Sequence, residues 1–264
     1  MVASSNPKRG KLYLVGSGPG NPDLLTVAAH RLLSEAKVVV YDRLVSEAIM
    51  SIIPQQAEKI YVGKAAGKHH LPQDQINELI VKLALEGKDV IRLKGGDPYI
   101  YGRGGEEALI LVENAIEVEV VPGITTAQAV STSLGIPLTH RGLATSVRYI
   151  TGVCSGTLES DMDWAGLADP DTTLVVYMGL THCEEIADRL LREGMPTELP
   201  AALVENATRP DQKFVTTTLA QLAHTARQQQ FVPPTIILIG WVVGLAAELG
   251  SEQQLLQEDL RVNG

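Results

Sequence analysis

Four loops hold the residues whose types and spacing can do chemistry. RLKGGDPYIYGRGGEE (92–107) is the densest. Gly95 and Gly96 at a strand end let the chain turn sharply against a ligand. Asp97 offers a carboxylate at the carboxyl end of a strand, where open α/β sheets place their ligands. Tyr99 and Tyr101 interleave with Ile100, and Arg103 and Glu106 bracket two further glycines at a helix start. Residues three apart share a helix face, so a cation and a carboxylate can converge there on one substrate. The plainer alternative is an exposed Arg–Glu pair of little energetic weight.

GSGPGNPD (16–23) is a second glycine-rich turn between strand and helix. One reading is a dinucleotide fingerprint, with Asp42 at the end of the second strand as the ribose-binding acid. Asn21 stands where the third glycine belongs, and Pro19 and Pro22 remove N–H groups that a pyrophosphate would need. A ligand without phosphate needs no such cradle, and a tight turn without a ligand is the alternative. VPGITTAQA (121–129) turns at Pro122-Gly123 and opens a helix with Thr125 and Thr126, for which ordinary N-capping is the competing account. Basic residues make the fourth group: Lys64, Lys68, His69 and His70, then His140 and Arg141 in PLTHR, with Arg148 and Arg209. The adjacent histidines lack the i, i+4 spacing of a helical metal pair, so no metal site is expected.

Alternating elements must position these loops. KLYLVG (11–16) reads as a first strand. Asn21, with Pro22 at the first helical position, is expected to open a helix through LLTVAAHRLLSEA. KVVVYD (37–42) reads as a buried strand. Ile76, Leu79, Ile80 and Leu83 recur at helical spacing up to Gly87. DVIRLKGGDP (89–98) is a strand entering a glycine loop. EVEVVPG (117–123) is another strand, followed by the helix TTAQAVSTSLG, which Gly135 closes. The pattern restarts around GIPLTHRGLATS (135–146), which divides the chain into an N-terminal α/β domain, 1–138, and a C-terminal α/β domain, 139–264. VRYITG (147–152), TTLVVYMG (172–179), PAALVENA (200–207), KFVTTTL (213–219) and TIILIGWVV (235–243) read as strands. Thr181 and Glu184 have capping-box spacing for a helix through Leu191. The short connection after 200–207 predicts a hairpin, so a more parallel first sheet and a mixed second one are expected. TIILIGWVV reads as core before interface.

Bulk composition agrees with this layout. A chain of 264 residues has room for about two domains. Hydrophobic residues make up 45% and aromatics only 4%, which favours aliphatic parallel strands covered on both faces by helices. A net charge of −9 opposes general nucleic-acid binding, and an anionic substrate then needs a local basic cluster. Cys154 and Cys183 lie far apart, which argues against a disulfide framework or a zinc site. No secretory h-region opens the chain, and no apolar run reaches the roughly 18 residues of a membrane span. A reduced, cytoplasmic protein with no membrane partner is expected.

Taken together, the loops resemble the uroporphyrinogen-III C-methyltransferase family, the precorrin-2-forming methyltransferases of siroheme and cobalamin biosynthesis. GSGPGNPDLLT, YVGK, RLKGGDPYIYGRGGEE, VPGIT, GIPLTHR, VVYMG and ENATRPDQ follow in the family's order from about Lys11 to Val243. The resemblance implies the class III methyltransferase fold, two α/β domains with the cofactor in the cleft between them, as a homodimer. It implies transfer of two methyl groups from S-adenosyl-L-methionine to ring carbons 2 and 7 of uroporphyrinogen III. The products are precorrin-2, by way of precorrin-1, and two S-adenosyl-L-homocysteine. Carried over by motif, cofactor-binding residues would be Pro19, Gly95, Gly96, Asp97, Ile100, Thr125, Thr126, Met178, Ala207 and Ile236. Substrate and catalytic residues would be Arg103, Glu106 and Arg141, with Asp42 a further candidate.

The chain departs from the family pattern at Val153-Cys154, where a His is frequent, at Ala207 in place of Gly, and at Tyr99 and Tyr101 in place of Phe. Rival readings are a methyltransferase of the same fold acting on a later precorrin or a diphthine precursor, a nicotinamide-dependent oxidoreductase, and a non-catalytic tetrapyrrole-binding protein. Without the extra N-terminal domain of fused siroheme synthases, dehydrogenase and chelatase steps are not expected.

Overall fold

The computed structural model describes residues 9–63, 71–153 and 162–249. Lys64, Lys68, His69, His70, Cys154 and the tail from Gly250 lie outside them. The chain divides into two compact units, Met1–Thr125 and Thr126–Gly264.

The first unit is built on five parallel strands: β1 (Leu12–Gly16), β2 (Val38–Tyr41), β3 (Glu58–Tyr61), β4 (Val90–Lys94) and β5 (Val118–Val121), in the order β3-β2-β4-β1-β5. Side chains alternate across a strand, so β1 sends Leu12 and Leu14 to one core and Val15 to the other. Helices α3 (Gln73–Leu85) and α4 (Gly104–Glu113) cover the Leu12 face with Ile76, Ile80, Leu83 and Leu111. Helices α1 (Val27–Ser34) and α2 (Glu47–Met50) cover the other with Ala29, Leu33 and Ile49. In β4 the same alternation puts Arg92 and Lys94 on the face of Val90, inside a strand buried at all five positions.

The second unit holds β6 (Ser146–Thr151), β7 (Thr172–Tyr177), β8 (Pro200–Glu205), β9 (Lys213–Thr218) and β10 (Thr235–Ile239), in the order β6-β7-β10-β8-β9. Among the described strands of this unit only β6 and β7 pair in parallel; β8 and β9 form the expected hairpin. Helix α5 (Thr126–Leu134) packs Ala127, Val130 and Leu134 against Val175, Val204 and Leu238. Past the short helix α6 (Trp164–Leu167), helices α7 (Cys183–Arg192) and α8 (Leu222–Gln228) cover the opposite face.

Four local expectations change. The chain divides one helix before the expected joint at 138/139, because the apolar stripe of α5 belongs to the second core. Asn21 caps only a 3-10 turn, Pro22–Leu24, by accepting from Asp23 N–H, and Thr26 caps α1 by accepting from Ala29 N–H. Thr181 sits inside a 3-10 turn (Leu180–His182) and caps nothing; Glu184 pairs with Arg227 at 2.8 Å. The strand expected over 235–243 stops at Ile239, since Gly240 (φ 153°) turns the chain into a 3-10 helix. β10 is central and wholly buried, as a core strand must be.

Candidate active site

Three neighbouring strands of the first unit, β4, β1 and β5, end in glycines packed backbone to backbone. A Cβ on Gly16 would lie 2.6 Å from the Gly96 carbonyl oxygen and 2.7 Å from Gly123 Cα. Gly18 and Gly96 exchange hydrogen bonds, Gly18 N–H to Gly96 oxygen at 3.1 Å and the reverse at 2.7 Å. Gly96 holds φ +66° and has nothing within 4 Å of its Cβ direction, so one side of this joint is open. Asp97 closes the other side: Oδ1 accepts from Tyr99 N–H (2.9 Å) and Oδ2 from Gly123 N–H (3.1 Å). Ser46 donates to the Gly20 carbonyl at 2.6 Å and steadies the first loop, where Pro19 is buried. Gly95 and Ile100 are half-buried beside this joint, and Thr125 is buried just beyond β5.

A charge network lies beside these loops on the α3–α4 face. Asp42 follows β2 and keeps the facing of Val38 and Val40. Its Oδ1 accepts from Leu44 N–H (3.0 Å) and its Oδ2 from Arg92 Nη2 (3.3 Å). Glu107 Oε1 receives three donors: Arg92 Nε (3.2 Å), Lys94 Nζ (2.9 Å) and Gln73 Nε2 (3.0 Å). Glu107 Oε2 is buried with no hydrogen-bond partner among the described residues. Burial pushes the Lys94 ammonium below its ordinary pKa, Arg92 adds to this, and Glu107 opposes it. Sequence reasoning missed Arg92, Lys94, Gln73 and Glu107. The available signal was two cations two apart in a strand that had to be buried on both faces.

Arg103 and Glu106 form the bidentate pair that their spacing suggested, Nε to Oε1 at 2.9 Å and Nη2 to Oε2 at 2.6 Å. Both side chains are 54% exposed, so the pair adds little stability. Its bond to Arg103 holds the Glu106 carboxyl below the usual carboxylate range, which suits an anchor better than a proton acceptor. Arg103 caps α4 in the left-handed conformation, φ 59°. Arg141, in the second unit, is exposed on a tight turn closed by the His140–Ala144 bridge. Its side chain has no ion pair or hydrogen bond among the described residues.

In the second unit, β7 and β8 flank β10 and both run antiparallel to it. Their carboxyl ends therefore share a sheet edge with the start of β10. This brings Met178, Ala207 and Ile236 to one edge, Ile236 lying opposite Val204. Tyr177 Oη accepts from Ala127 N–H at 3.2 Å and fixes the start of α5, with Thr126, there too. Met178 is 48% exposed and so is not core packing, whereas Ala207 and Ile236 are buried.

Backbone strain follows the same loops. Among the described residues seven non-glycines have positive φ. Ala115 and Gln230 directly follow helix C-caps, an ordinary place for it. The other five follow strands: Tyr101 and Arg103 after β4, Met178 after β7, Asn206 and Thr208 after β8. Each such residue costs about 1–3 kcal/mol, and such strain gathers at sites where function dictates the geometry.

Residues 11–223 match the family model described as Tetrapyrrole (Corrin/Porphyrin) Methylases. The chain is 46% identical over 253 residues to the uroporphyrinogen-III C-methyltransferase of Paracoccus denitrificans, covering 96% of this chain and 88% of that protein. It is 49% identical to the siroheme synthase of Thiobacillus denitrificans over 94% of its own length. It spans about half the length of that protein and of the other siroheme synthases it matches first. Among solved structures, the uroporphyrin-III C-methyltransferase of Thermus thermophilus complexed with S-adenosyl homocysteine superposes with a TM-score of 0.77 at 42% identity. That match covers 89% of this chain and 100% of the other. The chain therefore belongs to the tetrapyrrole (corrin/porphyrin) methylase family and has its two-domain, class III methyltransferase fold.

Proposed function

We propose that the chain is an S-adenosyl-L-methionine-dependent methyltransferase acting on carbons 2 and 7 of uroporphyrinogen III. The products are precorrin-2, through precorrin-1, and two S-adenosyl-L-homocysteine. The observation that carries this reading is the near full-length identity to the Paracoccus enzyme, which reaches across both units. The loops suit the co-substrate. Proline replaces the N–H donors of a pyrophosphate cradle at Pro19 and Pro22, and Gly96 faces open space at a sheet edge. Pro19, Gly95, Gly96, Asp97, Ile100, Thr125, Thr126, Met178, Ala207 and Ile236 would hold it. When bound, it supplies an electrophilic methyl group.

An electron-rich pyrrole carbon needs close, in-line placement more than a strong acid. The carbon–carbon bond forms as the carbon–sulfur bond breaks, with the electron pair going to sulfur. The cationic ring then loses a proton. We favour Asp42 as the acceptor: Arg92 holds it through one nitrogen at 3.3 Å, whereas Arg103 grips both oxygens of Glu106 and holds that carboxyl below its ordinary value. Arg103 and Arg141 would grip substrate carboxylates, for which a planar guanidinium is suited. Asp97, with both oxygens on backbone N–H groups, shapes the loop. A homodimer in the cytoplasm is part of the same proposal, and exposed Leu109 and Val112, one turn apart on α4, offer apolar surface for pairing. No helix among the described residues is long and apolar enough to cross a membrane.

An anaerobic assay with uroporphyrinogen III and methyl-labelled S-adenosyl-L-methionine tests the reading. A product heavier by two methyl groups supports it, and absence of label transfer overturns it. Arg103→Lys keeps the charge but loses the fork, so turnover should fall by about tenfold or more while S-adenosyl-L-homocysteine affinity stays within about twofold. Unchanged turnover would remove Arg103 from the substrate grip.

A further inference from the structure

Arg92 is tied to three different elements. Nη1 donates to the Leu93 carbonyl of its own strand (3.0 Å), Nε to Glu107 on α4 (3.2 Å) and Nη2 to Asp42 beyond β2 (3.3 Å). A planar fork held at three points has no rotational freedom left. Glu107 is held in turn by Lys94 and Gln73. Exposure varies along the network in one direction. Side-chain exposure is 0% for Glu107, 3% for Arg92 and 5% for Lys94, but 25% for Asp42. The charged part of the network is thus a buried strut whose one partly exposed member is the Asp42 carboxylate, while the uncharged Gln73 is half-buried at the other end.

Stability alone does not account for such a strut, since apolar packing of the same volume commonly does as well or better. What apolar side chains cannot do is fix a carboxylate in one orientation at a sheet edge. We propose that Arg92, anchored by Glu107, is a positioning residue that aims the Asp42 carboxylate at the proton leaving the methylated ring. The inference rests on the reading under Proposed function. The proton passes from a ring N–H or C–H to an Asp42 oxygen, and the electron pair of that bond neutralises the ring cation. Arg92 and Glu107 exchange no proton in the step.

The test is a double-mutant cycle on the full chain, with the wild type, Arg92→Met, Asp42→Asn and the double variant assayed for methyl transfer to uroporphyrinogen III. A residue acting only through Asp42 loses its effect once Asp42 is gone. Arg92→Met should lower kcat by about tenfold or more, with S-adenosyl-L-methionine KM within about twofold, and should add nothing in the Asp42→Asn background. Equal losses in both backgrounds would make Arg92 merely structural and overturn the inference. An unaffected kcat in either single variant would overturn it too. If Arg92→Met does not fold, Glu107→Gln carries the same cycle, because the amide keeps the shape and loosens the anchor. An inactive wild type refutes the substrate reading, and the inference falls with it; an active wild type with additive losses refutes the inference alone.

Discussion

Glu107→Ala is expected to lower the stability of the protein by about 3–5 kcal/mol at neutral pH, the usual result of removing one partner from a buried ion pair. Arg92 retains Asp42 at 3.3 Å, but Lys94 keeps no hydrogen-bond acceptor among the described residues. Its pKa is already depressed in the native protein, first by burial and then by Arg92, and Glu107 is the first of the groups that oppose this. Removing Glu107 depresses it further. An unfolded lysine holds its proton up to its ordinary value near 10.5. Between the folded value and that point the unfolded chain binds the extra proton, so stability rises with pH. The rise is steeper or begins lower in the variant, and the gap to wild type narrows on approach to the upper limit. Urea unfolding across a pH series measures this. Adding Lys94→Met to Glu107→Ala should recover part of the loss by removing the stranded cation. A variant that unfolds at the wild-type urea concentration, or a gap independent of pH, would show that Glu107 does not hold the cations.

The same network shows where sequence reasoning stops. Strands are legible where β-branched and other apolar residues cluster between turn residues, and nine of the ten described strands fall where the sequence predicts one. β3 is the exception. EKIY is a polar edge strand, exposed at three of its four positions, so it carries no apolar signal. Arg103 and Glu106 are legible as a helical pair, yet the neighbouring Glu107 decides more. Gly104, Glu107 and Leu111 share the buried face of α4, and a carboxylate on that face must meet the cations that β4 presents. Composition cannot say which of two adjacent glutamates turns inward; the phase of Leu111 can. The joint between units has the same character. The stripe of α5 announces an amphipathic helix, but only packing says which sheet it covers. Thr181 and Glu184 had the spacing of a cap and lacked its backbone, because a 3-10 turn runs through the position.

Gly123→Ala is expected to be the most damaging single methyl group that the joint of Gly16, Gly96 and Gly123 can receive. A Cβ there would press into the Gly96 carbonyl oxygen, well inside any allowed contact, and would lie 2.9 Å from Gly16 Cα. All these neighbours are backbone, so no side chain can swing away. To relieve the contact the β5 end must part from the β4 loop. That parting strains the Gly18–Gly96 bridge and the hydrogen bond from Gly123 N–H to Asp97. Overpacking of this kind costs about 1–3 kcal/mol, and more where nothing can relax. On the proposed reading, three cofactor loops lose their common anchor at once. S-adenosyl-L-homocysteine affinity, measured by calorimetry, should therefore fall by about tenfold or more, which corresponds to roughly 1.4 kcal/mol. Gly105→Ala is the control, since its Cβ meets nothing within 4 Å on a helix. There the added methyl should raise stability by about 0.5–1 kcal/mol and leave affinity unchanged. If Gly123→Ala binds as tightly as the control, the glycine joint is a packing detail. If it unfolds early yet binds normally once folded, the loops hold their shape without it. Only a joint loss of stability and affinity is what a shared anchor for the three loops requires.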